Sequence, residues 1–129
     1  MEKMTPKQRR AVFVKAEQAK PQQAMKNSGG KVPLSMLPPH ALVEIAKVRK
    51  FGADKYATWD WMKSRNHLEY LDAILRHLLA WQAGENNDPE SGLPHLAHAA
   101  CGLMFLLEFE RSGAGTDDRP DGLVMPEFD

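Results

Sequence analysis

Two neighbouring apolar runs between Asn66 and Glu110 carry ionisable side chains at helical spacing: Glu69, Asp72, Arg76 and His77 on the first, His95 and His98 on the second. A charge or imidazole facing an apolar interior costs free energy unless a partner, a metal or a ligand meets it, so this concentration demands an explanation. At 100° per residue, Glu69, Asp72 and Arg76 share one narrow stripe bordering a leucine face, which sets two carboxylates beside a guanidinium. His77 falls on the opposite flank with Tyr70 and Trp81. His95 and His98 are co-facial, with Gly102 one turn on, where a missing side chain permits close approach. An i, i+3 imidazole pair suits a transition ion, whereas Mg²⁺ prefers carboxylates and water. Each group also has a structural reading. Glu69 stands where a capping acid would, Asp72 and Arg76 make an i, i+4 ion pair, and the loop acids Asp88 and Glu90 suit solvent or a helix cap.

These residues need two helices and a loop to position them. Asn66 is placed to cap the first helix, with Glu69 at its third position reaching back to the capping residue. Leu68, Leu71, Leu75, Leu78, Leu79 and Gln82 then share a face, so the spacing predicts an amphipathic helix ending near Gly84. After a polar loop from Glu85 to Leu93, Pro94 suits the first turn of a last helix that runs to about Arg111 and is apolar nearly all round, the pattern of a buried central helix. Upstream, Pro38 and Pro39 introduce a helix to about Phe51, with Gly52 as its stop. The segment Phe51 to Met62 is a long aromatic connection in which Tyr56, Trp59 and Trp61 read as core anchors or as stacking platforms. Thr5 and Pro6 open a short basic helix over residues 5–20, and a Pro, Gly, Ser and Lys-rich arm follows from Gln22 to Pro38. The tail from Ser112, with five acids, one Arg and three Gly, reads as loose.

With 129 residues the chain fits one domain. The divisions are a basic leading helix and arm (residues 1–36), a helical domain (37–111) and an acidic tail (112–129). No strand alternation of useful length appears, so the expected class is all-α. About four helices, one of them apolar on every side, do not cover their own apolar surface, which implies a homodimer or larger assembly. Net charge is zero, yet residues 1–50 hold 11 Lys and Arg against 3 Asp and Glu, leaving 6 against 14 in the remainder. A basic leading segment can meet nucleic acid, nucleotide phosphates or an acidic neighbour, and nucleic acid is the minority reading. The single Cys101 sits in an apolar run as core filler and excludes an intrachain disulfide, in keeping with a reducing, cytoplasmic setting. The longest apolar run, Ala99 to Leu107, is far short of the roughly 20 residues that span a bilayer, so no membrane role is expected. A Gly-rich phosphate loop, a G-x-S-x-G elbow, paired C-x-x-C and H-E-x-x-H are all missing, which removes those enzyme classes.

The strings FGADKYATWDW, YLDAILRHLLAWQAGE and DPESGLPHLAHAACGLMFLLEFE together resemble the phage dATP/dGTP diphosphohydrolase N-terminal family, an offshoot of the all-α MazG-like nucleoside triphosphate pyrophosphohydrolases. The resemblance covers about Leu37 to Glu110. It implies hydrolysis of a deoxynucleoside triphosphate between the α and β phosphates, to monophosphate and pyrophosphate, with a divalent metal (Mg²⁺ or Mn²⁺) in a helical dimer or dimer of dimers. In MazG-like enzymes an E-x-x-E and a later E-x-x-D motif hold the metals. Here the later position reads His95-Leu96-Ala97-His98, and the first is matched only loosely by Glu69 and Asp72 or by Asp72 and Arg76. Imidazoles in place of carboxylates favour Mn²⁺ or another transition ion.

On that resemblance the expected metal ligands are Glu69, Asp72, His95 and His98, and the expected catalytic groups Asp72, Arg76, His95 and His98. Arg76 and Lys55 are placed to neutralise phosphate, Tyr56, Trp59 or Trp61 to stack on the base, and His77, Asp88 and Glu90 to complete the substrate site. The rival reading is a non-catalytic helical scaffold that binds nucleotide or nucleic acid through its basic half.

Overall fold

The computed structural model of the chain describes residues 3–9, 29–63 and 65–128. The chain divides into two compact units, residues 1–34 and 35–129. In the first, residues 6–9 form one helical turn. It opens on a reciprocal cap, the Gln8 amide donating to Thr5 Oγ1 (3.1 Å) and the Thr5 amide to Gln8 Oε1 (2.8 Å). Thr5 followed by Pro6 leads to this expectation. The remainder of the expected helix over 5–20, and most of the arm after it, lie outside the described residues.

The second unit is all-α. It has three helices, α1 (Pro39–Lys55), α2 (His67–Gln82) and α3 (His95–Ser112), and a 3₁₀ turn at Asp60–Met62. Among the described residues there is no strand, only isolated bridges at Asn66–Thr116 and Asn87–Pro94. None of the described helices is long and apolar enough to cross a membrane. Gly52 does not stop α1. The helix continues one turn to Lys55 and closes with the Tyr56 amide on the Gly52 carbonyl (2.9 Å), because an interior glycine costs only about 1 kcal/mol relative to alanine.

At the start of α2, Asn66 makes no side-chain cap. The Asp118 carboxylate does so from 50 residues downstream, accepting the Leu68 amide at 3.0 Å. Beside it the His67 amide donates to the Thr116 carbonyl (2.9 Å) and the Thr116 amide to the Arg65 carbonyl (2.9 Å). The tail expected to be loose is thus tied down over its first part. Gly113 makes this possible: at φ 74° it ends α3 in the left-handed conformation and turns the chain back, its amide on the Phe109 carbonyl (2.8 Å).

Helices α2 and α3 form a hairpin whose seam is closed at Gly102. A Cβ there would stand 2.6 Å from Ile74 Cγ1, so the glycine leaves the room that the Ile74 side chain fills. Helix α1 packs on the other side of α3, where Val48, Ala97 and Cys101 form a small core with Ile45, Leu93 and Phe105. Cys101 is the buried filler its surroundings imply. Tyr70, Ile74 and His77 lie on the interior surface of α2 and Leu68 is half-buried, but the rest of the expected leucine face is not part of it: Leu71, Leu75, Leu78 and Leu79 are exposed. Helix α3 likewise is not buried all round, since Leu96, Leu103, Met104 and Leu107 face outward. Aromatic area explains the choice. Tyr70 and Trp61 pack against Phe105 and Phe109 with ring centroids 5.1–6.5 Å apart, and such rings bury roughly 150–250 Å² each, more than a leucine can.

Candidate metal centre

The loop between α2 and α3 is built around Asp88. Its Oδ1 accepts the amides of Glu90 (2.7 Å) and Ser91 (3.4 Å), an arrangement that short Asp side chains make readily in turns. Backbone bonds from the Asp88 amide to the Leu93 carbonyl (2.8 Å) and from the His95 amide to the Asn86 carbonyl (2.9 Å) fasten the loop to the start of α3. With Oδ1 so engaged, Oδ2 is turned toward the imidazoles, 3.8 Å from His77 Nδ1. Burial pushes the Asp88 carboxyl up, but the two amides and the neighbouring imidazoles outweigh it and hold the group below its ordinary value.

Three histidines meet this carboxylate. His95 is almost fully buried, 4% exposed. Its Nε2 lies 2.6 Å from Glu85 Oε1, and since a carboxylate only accepts, the proton is on Nε2 and Nδ1 presents a lone pair. That Nδ1 stands 2.9 Å from His77 Nδ1. The separation serves as a hydrogen bond with His77 donating, or as the spacing of two nitrogens about 2.1 Å from one ion and about 90° apart. His98 stacks on His77 (4.6 Å, 9° between planes) and is anchored by Ser91 Oγ, 2.7 Å from its Nε2. Burial lowers the pKa of both His77 and His98. For His77 the nearby imidazoles and Arg76 add to this and Asp88 opposes it; for His98 Asp88 opposes it and His95 adds.

Among the described residues, His77, Asp88 and His95 each offer one ligand atom within 4.8 Å of the others. Two imidazole nitrogens and one carboxylate oxygen fit a divalent transition ion such as Mn²⁺ better than Mg²⁺.

His77, Asp88 and His98, but not the buried His95, line one end of a cleft of about 280 Å³ between α1 and the hairpin. Tyr70 and His77 lie two turns apart on α2, and Phe105 and His98 two turns apart on α3, so the cleft runs about 10 Å from imidazoles to aromatics. Lys55 and Glu90 pair at its mouth, and Tyr56, Trp61, Asp60 and Arg65 complete the lining. Trp59 is outside this cleft and lines a neighbouring hollow with Trp61 and Phe105.

The structure therefore brings together His77, Asp88, His95 and His98, with Lys55, Tyr56, Trp61 and Glu90 around the same cleft. Glu69, Asp72 and Arg76 do not join them. All three are exposed and none lines the cleft, because their stripe lies across α2 from His77. The expectation that Asp72 shares a pocket with the histidine pair is corrected for the protomer. Sequence reasoning passed over Glu85 and Ser91, which hold His95 and His98. An acid and a hydroxyl inside a short loop joining two histidine-bearing helices were the available signal.

Residues 21–119 match the family described as dATP/dGTP diphosphohydrolase, N-terminal. A dATP/dGTP diphosphohydrolase of Salmonella phage PMBT28 is 38% identical over 99 residues, which cover 75% of this chain and 33% of the phage protein. The chain thus spans about a third of the length of the curated relative it matches. No solved structure matches it.

Proposed function

The chain belongs to the dATP/dGTP diphosphohydrolase N-terminal family, and from that premise we propose that its cleft hydrolyses a deoxynucleoside triphosphate, dATP or dGTP, to monophosphate and pyrophosphate, with a divalent ion held by His77, Asp88 and His95. The polarity of the cleft carries this reading: cation-binding groups at one end, and Tyr70, Trp61 and Phe105 about 10 Å away at the other, a span suited to a phosphate and the base attached to it. An ion bound there supplies charge neutralisation on the triphosphate and polarises water for attack at the α-phosphorus.

The chain's own residues do the remaining work. Glu85 fixes the His95 ring and keeps its Nδ1 lone pair turned to the cluster. Asp88, held at Oδ1 by two amides, presents Oδ2 without having to reorganise. His98 lines the cleft beside them, positioned by Ser91, and accepts the proton released by the attacking water. Lys55 is kept cationic by Glu90 and meets phosphate oxygens at the mouth. Trp61 and Tyr56 pack on the base.

The test is a panel of dNTPs incubated with Mn²⁺ or Mg²⁺, with chromatographic identification of products. Monophosphate and pyrophosphate are expected from wild type, and His95→Ala should lose turnover by about a hundredfold or more with its helical circular dichroism intact. Orthophosphate as the product, or undiminished turnover in His95→Ala, would overturn the assignment. Because the chain spans a third of its phage relative, a second reading is a nucleotide-binding part whose chemistry resides in further chain. Mn²⁺-dependent dNTP binding without turnover would select that one.

A further inference from the structure

At its aromatic end the cleft holds a carboxylate, Asp60. This residue opens the 3₁₀ turn Asp60–Met62, and its side chain, 14% exposed, lines the cleft with Trp61, Tyr70 and Phe105. Trp61 stacks on Phe105 (5.6 Å, 17° between planes), and Tyr70 stands edge-on to the same ring (5.9 Å). Burial pushes the Tyr70 hydroxyl up, and the charges of Arg65 and Asp60 act on it as well, so this pair stands at the Tyr70 end, away from the imidazoles. Lys63 Nζ meets Asp60 Oδ1 (2.9 Å) and Arg65 Nη2 meets Oδ2 (2.6 Å). The hydrogen bond from Lys63 outweighs burial and holds the Asp60 carboxyl below its ordinary value, so the group is ionised and only accepts. A carboxylate has about four acceptor positions, and the two cations take one on each oxygen. Arg49, which also lines the cleft, is committed elsewhere: it lies over the Phe105 ring (5.2 Å) and donates to the Thr58 carbonyl (2.6 Å).

We infer that Asp60 is the residue that selects the base, and that the base it selects is guanine. The inference rests on the nucleotide reading of the cleft and adds to it the group that reads the base edge. On its pairing edge guanine presents two adjacent donors, N1–H and the N2 amino group, with the O6 acceptor beside them. The two oxygens of Asp60 accept those donors, and the adjacent Arg65 donates to O6. Adenine fits the same pair poorly. Its 6-amino group satisfies one oxygen, but the N1 lone pair then meets the other, and two acceptors facing each other in a half-buried site cost affinity. Cytosine sets its N3 lone pair against the carboxylate in the same way, and thymine offers a single donor between two carbonyl oxygens. Stacking on Trp61 is open to every base and so cannot choose among them, whereas a polar group that must be met by the ligand can.

Titration calorimetry in Mn²⁺ with the α,β-methylene analogues of dGTP, dATP and dITP tests this without turnover. Wild type should favour the dGTP analogue over the other two by about tenfold or more; hypoxanthine differs from guanine only in lacking the N2 amino group. Asp60→Asn should shift the preference toward the dATP analogue by about tenfold or more, because an amide accepts from the 6-amino group and donates to N1. Lys63→Ala removes the solvent-side partner of Asp60 and should keep the guanine preference. A loss there equal to that in Asp60→Asn would make Asp60 a counter-ion only and overturn the inference. So would a folded Asp60→Asn that still prefers guanine. If Asp60→Asn unfolds by circular dichroism, the wild-type ranking decides, because Asp60 is the carboxylate at that end of the cleft: equal binding of the dGTP and dITP analogues, or no binding of either, overturns the inference. Guanine preference without turnover of any dNTP would support it and sink the hydrolase reading, whereas turnover indifferent to the base would do the reverse.

Discussion

The two sides of the α2–α3 hairpin differ: Ile74, alanines and Cys101 face inward together with imidazoles, a carboxylate and aromatic rings, and most of the leucines face out. Inward polar groups survive because each is met. His95 has Glu85, His98 has Ser91, and Asp88 has two amides, and no buried side-chain nitrogen or oxygen among the described residues lacks a partner. The outward leucines have no such account within one protomer. The interior of this hairpin thus combines small and aromatic apolar residues, Ile74, Ala97, Ala99, Cys101 and Phe109, with polar groups that are each satisfied, while its longer leucines stay outside.

The largest expected contrast is between Phe109 and Leu107, two residues apart on α3. Phe109 is the largest fully buried side chain of the described set, 1% exposed, and Leu107 is 63% exposed. Phe109→Ala should lower unfolding stability by about 3–5 kcal/mol. Leu107→Ala, measured by urea denaturation at a dilution where any dimer has dissociated, should stay within about 0.5 kcal/mol. Similar losses for both would abolish the distinction between the faces.

Next comes Glu85, which acts on His95 rather than on an ion. Glu85→Ala should weaken Mn²⁺ binding by about 10–100-fold in titration calorimetry, and Glu85→Gln, which still accepts a hydrogen bond, should recover part of it. Equal losses in both variants would remove the orienting role.

Smaller again is the cap supplied by the tail. Asp118→Ala should cost about 1 kcal/mol and expose the α2 amides near Leu68 to faster hydrogen exchange. Unchanged exchange there would mean that the tail does not hold the helix.

The inward face also makes stability depend on pH. His77 and His98 have folded pKa values below their ordinary 6.5, so below that pH the unfolded chain binds more protons than the folded one. The stability is full above about pH 6.5, falls as pH drops through that value, and levels off once the folded-state pKa values are passed. Thermal midpoints in chelator at pH 7.5 and about 5.5 should show the decrease, and His98→Gln should reduce its slope. A midpoint that rises on acidification would contradict the burial of neutral rings.

Much of the local structure was legible from punctuation. Pro39 and Pro94 mark the starts of α1 and α3, Gly84 follows the end of α2, and the i, i+3 spacing of His95 and His98 sets both against His77. The opposition of Arg76 to His77 also followed from helical angle. Three features did not follow. Gly52 looked like a stop because local propensity counts its cost and omits the packing of Phe51 against His98 (6.3 Å). A window of a few residues points to Asn66 as the α2 cap because Asp118, which fills that role, lies 50 residues away. The family resemblance puts Asp72 with the histidines, and only the packing of α2 turns its stripe away from them.

By itself the sequence determined that the chain is helical, where its helices turn over and which side chains share a stripe, since φ/ψ preference, capping and a 3.6-residue period act between near neighbours. Only the tertiary structure decided which stripe faces inward, that Glu85 and Ser91 would hold the histidines, and that Asp118 would close a helix far upstream. Those outcomes depend on what packs opposite each surface, and that partner is set by chain folding over tens of residues.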